Sequence, residues 1–210
     1  MKRMISLALS IFMLAGGGVA LAAAPPMPVR GTIDAVNGRV LSVTETAGTK
    51  AYVTLAPDAI ITEVIPGSRA DVKVGTYVGT AAVKQPDGIY RAMELQVFPD
   101  SMRGIGLGTR KWNLAPHSTM TNGTVGAISQ TRGTVGALSG SGNLTLHVND
   151  GSGSKTILIP DGVPVVTYAP GSIADLSPGA HVIFFPTSAA AGSFTTSRIN
   201  VGKNGMTPPM

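Results

Sequence analysis

The sequence predicts an all-β protein of two tandem small OB-like five-stranded barrels, joined by an irregular linker and preceded by a signal peptide. Three observations support this fold class. The segment "PGSRADVKVGTYV" from Pro66 returns nearly unchanged as "PGSIADLSPGAHV" from Pro170, which is typical of a duplicated unit. Short runs rich in β-branched residues alternate with turn dipeptides. The repeated segment itself carries the only helical pattern, a single turn in each copy.

The first residues carry the features of an export signal. Residues 1–22 form a predicted Sec-type signal peptide, with a basic start, the apolar run Ile5–Leu14 and small residues at Ala20 and Ala22. Cleavage after Ala22 would leave the mature protein in the periplasm, and retention of the apolar run as a membrane anchor is the alternative. No later apolar stretch approaches the ~20 residues that cross a bilayer, so no membrane span is expected after signal removal.

The composition excludes several classes of function. The 210 residues include no Cys, which excludes thiol catalysis, thiolate metal sites and disulfides. Stability must therefore come from apolar burial and sheet hydrogen bonds. The net charge is +5, but the excess is concentrated in residues 101–115, which hold three basic residues and no acid. Nucleic-acid binding needs a broader basic face and is not expected.

The repeat divides the chain into two units. They run from Arg30 to Val97 and from Arg132 to Val201, because "RGTIDAVNG" matches "RGTVGALSG" and "GIYRAMELQV" matches "GSFTTSRINV". The predicted organisation is a signal peptide (1–22), a first barrel domain (29–98), a basic linker containing Gly and Trp (99–121), a second barrel domain (122–202) and a C-terminal tail (203–210). The start of the second unit stays open, since "NGTVGAIS" from Asn122 is a near-copy of "RGTVGALS" from Arg132.

Each unit is predicted to place a helical turn after its third strand. Ser68 can cap this turn, Asp71 lies three residues further on and Gly75 ends it, and the second unit repeats the pattern from Ser172. Three strands, a helical turn and two strands is the order of an OB barrel. The repeated residues are therefore interpreted as forming this turn, and not as reactive groups. The strands predicted for the first unit are Val29–Val36, Arg39–Glu45, Lys50–Leu55, Tyr77–Lys84 and Ile89–Val97.

The sequence contains no recognisable catalytic set. There is no G-x-S-x-G motif, and no acid lies at a spacing from the three histidines that would indicate a Ser-His-Asp set. A hydrolase is therefore the least favoured interpretation. The "GIGLG" stretch from Gly104 lacks the Lys-Ser/Thr of a phosphate-binding loop and is interpreted as a flexible or tightly turning connector. We therefore expect a protein that is not an enzyme and has no cofactor.

The linker holds the candidate ligand-binding residues, which are Arg103, Arg110, Lys111, Trp112 and His117. Cations beside an aromatic ring commonly hold a sugar, a base or an anion. The alternative, which we favour for Trp112, is that the single tryptophan packs between the two barrels and anchors the linker.

A metal site is a second possibility in the same region. His117 with Met102 and Met120 is the candidate set, because methionine thioethers bind Cu(I). Met206 and Met210 fall in the tail, which is expected to be loose. The methionines follow no helical or strand period, so gap-filling is favoured and no metal ligand is assigned.

Three stretches, "SMRGIGLGTRKWNLAPHSTMTNGTVG", "VPVVTYAPGSIADLSPGAHV" and "VGKNGMTPPM", resemble a family of uncharacterised exported proteobacterial proteins. These carry a duplicated small-β, OB-like domain of unknown function. The resemblance covers nearly the whole mature chain and implies export and fold, without an activity or functional residues. The family pattern often has an acid at the position of Leu107 and Asp at that of Asn113, so this chain lacks two acids suited to a cation.

The features together predict an exported, periplasmic, non-enzymatic binding or accessory module. Its partner would be an anionic envelope component or another periplasmic protein, held at the linker and the barrel mouths. A metal-handling accessory protein is the alternative.

Overall fold

The computed structural model describes residues 27–132, 142–190 and 192–210, and these form an all-β protein. The predicted signal peptide (1–22) lies outside the described residues, as does most of the "RGTVGALS" segment. Single 3-10 turns at Arg69–Asp71, Asp100–Met102, Ile173–Asp175 and Lys203–Gly205 are the helical elements of this part of the chain. Its strands are β1 (Val29–Asn37), β2 (Val40–Glu45), β3 (Lys50–Pro66), β4 (Tyr77–Lys84), β5 (Tyr90–Ala92), β6 (Leu95–Val97), β7 (Gly108–Lys111), β8 (Ser118–Arg132), β9 (Gly142–Asn149), β10 (Ser154–Ile159), β11 (Val165–Pro170), β12 (His181–Ala190) and β13 (Ser193–Gly202).

Five strands close into a barrel. β1, β2, β3, β13 and β12 pair in this order, and β12 pairs back with β1. Alternate residues of each strand point inward, as the strand period requires, so Leu41 and Val43 of β2 meet Val53 of β3 in the interior. Phe184 and Ile199 complete this core from the last two strands.

A second circuit of paired strands lies beside the first. β4 pairs with β8 on one side and with β5 on the other, and β9 and β10 join β8 to β5. Its interior holds the fully buried side chains of Val78, Leu146, Val148 and Ile157. We call these assemblies the first and the second barrel.

The two barrels exchange strands between the repeat units, which differs from the prediction that each unit closes on itself. β1 to β3 of the first unit close with β12 and β13 of the second unit. β3 was predicted to end at Leu55 but continues through Pro57 to Pro66. Residues Ile60 to Val64 of this extension pair with β13, and Thr62 to Pro66 pair with β11, so β3 connects the first barrel to the second unit.

The two units meet along β3 and β11, which pair antiparallel. Pro66 lies opposite Val166, and Pro170 lies opposite Thr62. Pro66 is equivalent to Pro170 and Val166 to Thr62, so exchanging the two units converts one pair into the other and leaves the register unchanged. The centre of this pseudo-two-fold arrangement is Tyr168, opposite Val64.

β8 pairs in the second barrel with the same register that β1 has in the first. Gly123 of β8 lies opposite Val78, just as Gly31 of β1 lies opposite Val182. "NGTVGAIS" therefore occupies the first-strand position. Both glycines are close approaches, since a Cβ on Gly31 would lie 2.5 Å from the carbonyl oxygen of Thr44, and one on Gly123 would meet its neighbouring strand at least as closely.

The repeated turn forms as predicted. The carboxylate of Asp71 accepts a hydrogen bond from the Ser68 backbone N–H at 3.1 Å, and Asp175 does the same for Ser172 at 2.6 Å. The turn ends earlier than predicted, since it covers Arg69–Asp71 with Val72 at its C-cap, and Gly75, at φ +90°, lies in the next turn of the chain.

The linker and the tail are more ordered than predicted. Within the predicted linker (99–121), β7 pairs with the first residues of β8, which begins at Ser118. Within the predicted loose tail (203–210), Met210 is 1% exposed and packs against Tyr168. The tail is therefore part of the core between the barrels, because a buried apolar side chain anchors it.

Over the described ranges, no helix has the length and apolar character needed to cross a lipid bilayer.

Candidate functional site

A small cavity lies where the two barrels and the linker meet. It has a volume of about 40 Å³, which is room for a few water-sized groups. Strands of both barrels contribute to its wall, and Ile105 and Gly106 of the linker close one side. The lining residues are Gln96, Phe98, Met102, Ile105, Gly106, Arg110, Trp112, Met120, Asn122, Tyr168, Phe185, Arg198, Asn200 and Met210.

Arg110 brings one positive charge to the cavity. It lies on β7, and its guanidinium carbon is 5.4 Å from the ring centre of Trp112, a cation–π contact. One guanidinium nitrogen donates to the Gly106 carbonyl at 2.8 Å, which holds the glycine-rich turn over the side chain. Burial lowers the pKa of Arg110, and the positive charge of Arg198 lowers it further.

Arg198 brings a second positive charge from β13, in the first barrel. Its guanidinium carbon lies 4.1 Å from the ring centre of Phe185. Burial lowers the pKa of Arg198 as well. No Asp or Glu side chain of the described residues forms an ion pair with either arginine, and none lines the cavity. The cavity therefore holds two half-buried cations without an Asp or Glu partner among the described residues.

Uncharged polar groups complete the wall. The Tyr168 hydroxyl donates to Gln96 Oε1 at 2.5 Å, and burial raises the pKa of Tyr168 well above its ordinary value. Asn122 Nδ2 donates to the Ile105 carbonyl at 2.9 Å. Three buried polar atoms of the lining have no hydrogen-bond partner among the described residues: Trp112 Nε1, Asn122 Oδ1 and Asn200 Oδ1.

A buried carboxyl group lies behind this wall. Glu94 is fully buried, and its Oε1 accepts hydrogen bonds from the Ala81 backbone N–H at 2.6 Å and from Gln96 Nε2 at 3.1 Å. Burial raises the pKa of Glu94 to about 7, against the opposing effects of these hydrogen bonds and of the Arg30 charge.

Arg30 links this carboxyl to the tail and the linker. Its Nε donates to the Met210 carbonyl at 2.5 Å, and one Nη donates to Asn113 Oδ1 at 2.7 Å. The guanidinium carbon lies 5.9 Å from the ring centre of Trp112, on which Arg110 also stacks. Trp112 is thus in cation–π contact with two arginines.

Several polar residues of this layer occupy equivalent positions in the two repeat units. The match of "GIYRAMELQV" to "GSFTTSRINV" places Glu94 with Arg198 and Gln96 with Asn200. The site is therefore built around the pseudo-two-fold centre. Sequence reasoning missed Arg198 and Asn200, although the polar residues shared at these repeat positions could have indicated them.

The structure brings together two of the five predicted site residues. Arg110 and Trp112 line the cavity, and Trp112, 7% exposed, also packs between the barrels as the alternative interpretation required. The other three lie outside the cavity.

Arg103 is paired with Asp100 at 2.7 Å and donates to the Gly75 carbonyl at 3.1 Å. Lys111 is exposed on β7. His117 is exposed in a turn at φ +61°. These three polar side chains lie on the outer face of the linker and do not line the cavity.

The methionines do not lie beside His117, as the metal hypothesis required. Met102 and Met120 line the cavity together with Met210, whereas His117 does not. The sulfur of Met120 accepts from Gln96 Nε2 at 3.7 Å, and that of Met210 lies 3.5 Å from the Tyr168 hydroxyl, which donates to Gln96. Groups of three or more His, Cys, Asp or Glu side chains placed to hold a metal ion are not found within residues 27–132, 142–190 and 192–210.

No protein-family model, curated protein or solved structure matches the chain. The site must therefore be interpreted from its own geometry. That geometry offers donors and positive charge to a small group, with aromatic walls that exclude water from part of its surface.

Proposed function

We propose that the protein is a non-enzymatic binding module that holds the anionic group of a small ligand in the cavity between its two barrels. The observation that supports this most directly is the pair of half-buried arginines, Arg110 and Arg198, at one cavity without a described carboxylate partner. In this proposal the paired barrels, OB-like in strand order and derived from a duplication, are the frame for one site. Residues 1–22 direct the protein to the periplasm.

The electrostatics favour an anion over a cation. Placing two guanidinium groups in a partly desolvated cavity costs free energy that a bound carboxylate or phosphate would recover. Hydrogen bonds from arginine to such groups are charge-assisted and often bidentate. The same two charges oppose a metal ion beside Met102 and Met120, so the metal-handling alternative is disfavoured at this cavity.

The proposal also assigns no chemical step to the site. Among the described residues, the lining contains no Ser, Cys, His, Asp or Glu side chain that would serve as nucleophile or general base. A binding role needs only the donors that are present. The exposed Arg103 and Lys111 are then left for contact with an envelope component or a partner protein that presents the ligand.

Calorimetric titration of the protein with acetate and with phosphate at low ionic strength tests this proposal. Arg110→Met and Arg198→Met remove one cation each and keep an apolar side chain against the aromatic ring. Since a hydrogen bond to a charged group contributes about 1.5–3 kcal/mol, each variant should bind the anion at least about tenfold more weakly.

Arg91→Met is the matched control, because Arg91 is exposed on β5 and away from the cavity. It should bind like the unaltered protein. The proposal is rejected if neither anion binds the unaltered protein, or if Arg91→Met weakens binding as much as the cavity variants do while all three remain folded by circular dichroism.

A further inference from the structure

The cavity combines hydrogen-bond donors with acceptors that have no donor. The donors are Arg110, Arg198 and Trp112 Nε1, and the acceptors are Asn122 Oδ1 and Asn200 Oδ1. An anion without a hydrogen-bond donor, such as acetate, would satisfy the first group and leave the second group unsatisfied. The acceptors therefore indicate that the ligand has a hydrogen-bond donor in addition to its negative charge.

The orientation of the Asn122 amide follows from its hydrogen bond. Its Nδ2 donates to the Ile105 carbonyl at 2.9 Å, so Oδ1 is the atom left without a partner. This oxygen lies close to Gly79, the residue opposite Asn122 on β4, where a Cβ would be 2.8 Å from it.

A buried acceptor without a donor is costly. Leaving such a group unpaired costs about 1–3 kcal/mol, so native proteins pair it with protein, water or ligand. Asn122 and Asn200 are 3% and 5% exposed, and they come from different barrels. A ligand group that donates a hydrogen bond to either oxygen would remove this cost.

The remaining wall is mostly apolar. Phe98, Phe185, Met120 and Met210 contribute rings and thioethers to it. Such a surface favours a hydrocarbon group over a fully hydrated inorganic ion. The volume of about 40 Å³ limits the enclosed part of the ligand to a few non-hydrogen atoms.

We infer that the ligand is a short-chain hydroxycarboxylate. Its carboxylate accepts from Arg110 and Arg198, its hydroxyl donates to an asparagine Oδ1, and its carbon chain lies against the aromatic rings. A hydroxyl is favoured over an ammonium group as the donor because the two guanidinium groups would repel a further positive charge. This inference rests on the proposed function, and it specifies the chemical class of the ligand.

The test compares pairs of probes that differ in one hydroxyl. Lactate is compared with propionate, and 3-hydroxybutyrate with butyrate, by calorimetry on the same preparation. One added hydrogen bond to a buried acceptor should make at least one hydroxylated probe bind about tenfold more tightly than its deoxy analogue. Alanine and phosphate complete the panel and should bind more weakly than that hydroxylated probe.

Asn200→Leu assigns the preference to the cavity. Leucine has nearly the shape of asparagine, and the Asn200 amide donates only a long contact to the Met210 sulfur at 3.9 Å, so little internal structure depends on it. Of this variant and Asn122→Leu, at least one should bind the preferred hydroxylated probe and its deoxy analogue equally. Thr195→Val, a polar-to-apolar change on the same strand outside the cavity, is the control and should keep the preference.

The outcomes separate this inference from the proposed function. Equal binding of hydroxylated and deoxy probes in both pairs, with Arg110→Met still weakening both, overturns the hydroxycarboxylate and leaves the anion site intact. Tighter binding of alanine or of phosphate than of either hydroxylated probe also overturns it. Absence of binding by every carboxylate and by phosphate rejects both proposals.

Discussion

Glu94 and Arg198 occupy the same position of the two repeat units, yet Glu94 is fully buried behind the cavity wall and Arg198 is half-buried and lines the cavity. The Glu94 carboxylate accepts from the backbone N–H of Ala81, whereas Arg198 stacks on Phe185, and Ala81 and Phe185 are themselves equivalent. The small alanine leaves room for Glu94 to turn inward. The phenylalanine fills that room and holds the guanidinium toward the cavity. The two units therefore differ at these two equivalent positions, and only the second unit directs a cation, Arg198, toward the cavity.

The largest effect expected from this comparison is the pH dependence of Glu94. Folding raises the pKa of this carboxyl from 4.5 to about 7, so the folded protein binds more protons than the unfolded chain between these values. The contribution of Glu94 to stability is therefore fully present below pH 4.5 and is lost as the pH rises to about 7. A shift of this size corresponds to about 3 kcal/mol.

Glu94→Gln should abolish most of this fall, because glutamine keeps an acceptor for the Ala81 N–H and cannot ionise. Urea unfolding of both proteins at pH 5 and pH 8 measures the difference. Glu45→Gln, at the end of β2, is the control and should keep the pH dependence of the unaltered protein. Parallel profiles for the unaltered protein and Glu94→Gln would contradict the burial of an ionisable carboxyl.

The second prediction concerns a feature that the two units share. Gly31→Ala and Gly123→Ala should each destabilise the protein by about 2 kcal/mol, because the added Cβ meets backbone of the neighbouring strand. Gly126→Ala is the control on β8, where the nearest atom to a new Cβ is 3.6 Å away. Chemical unfolding should show two similar losses and a near-neutral control. A loss at only one of the two glycines would show that the units are not equivalent there.

The third prediction tests the pseudo-two-fold centre. Tyr168→Phe removes the donor to Gln96 Oε1 and leaves that buried oxygen unpaired, at a cost of about 1–2 kcal/mol. The ring, which stacks on Phe98 at 5.1 Å between centres, is retained. Thermal unfolding should show the loss, and the control Tyr52→Phe, at an exposed site on β3, should not.

The strands and the repeated turn could be predicted from the sequence because their signals are local. The alternation of Ala51, Val53 and Leu55 with polar neighbours predicts a strand wherever its partner lies. Strand exchange could not be predicted, since β4 and β12 occupy equivalent positions in the two units and pair in the same register, with Val78 opposite Gly123 and Val182 opposite Gly31. A local sequence pattern does not say which of the two equivalent strands closes a given barrel.

The candidate site shows the same limit. Arg110 and Trp112 could be predicted because they are adjacent in a basic, aromatic segment. Arg198 is 88 positions further along the chain and reaches the cavity only through the pairing of β13 with β3. Its role depends on Phe185, which no local pattern links to it. Aligning the two units position by position is the sequence comparison that would best have indicated this site.

The smallest expected effect distinguishes the two helical turns. Asp175 accepts from both the backbone N–H and the hydroxyl of Ser172, at 2.6 and 2.9 Å, whereas Asp71 accepts only the Ser68 N–H, at 3.1 Å. Loss of a capping group costs about 1 kcal/mol, so Asp175→Ala should approach this value and Asp71→Ala should cost about half as much. Asp175→Asn, which keeps an acceptor, should recover most of the loss in a urea titration. Equal losses at the two positions would mean that the shared sequence, and not the geometry around each turn, determines its stability.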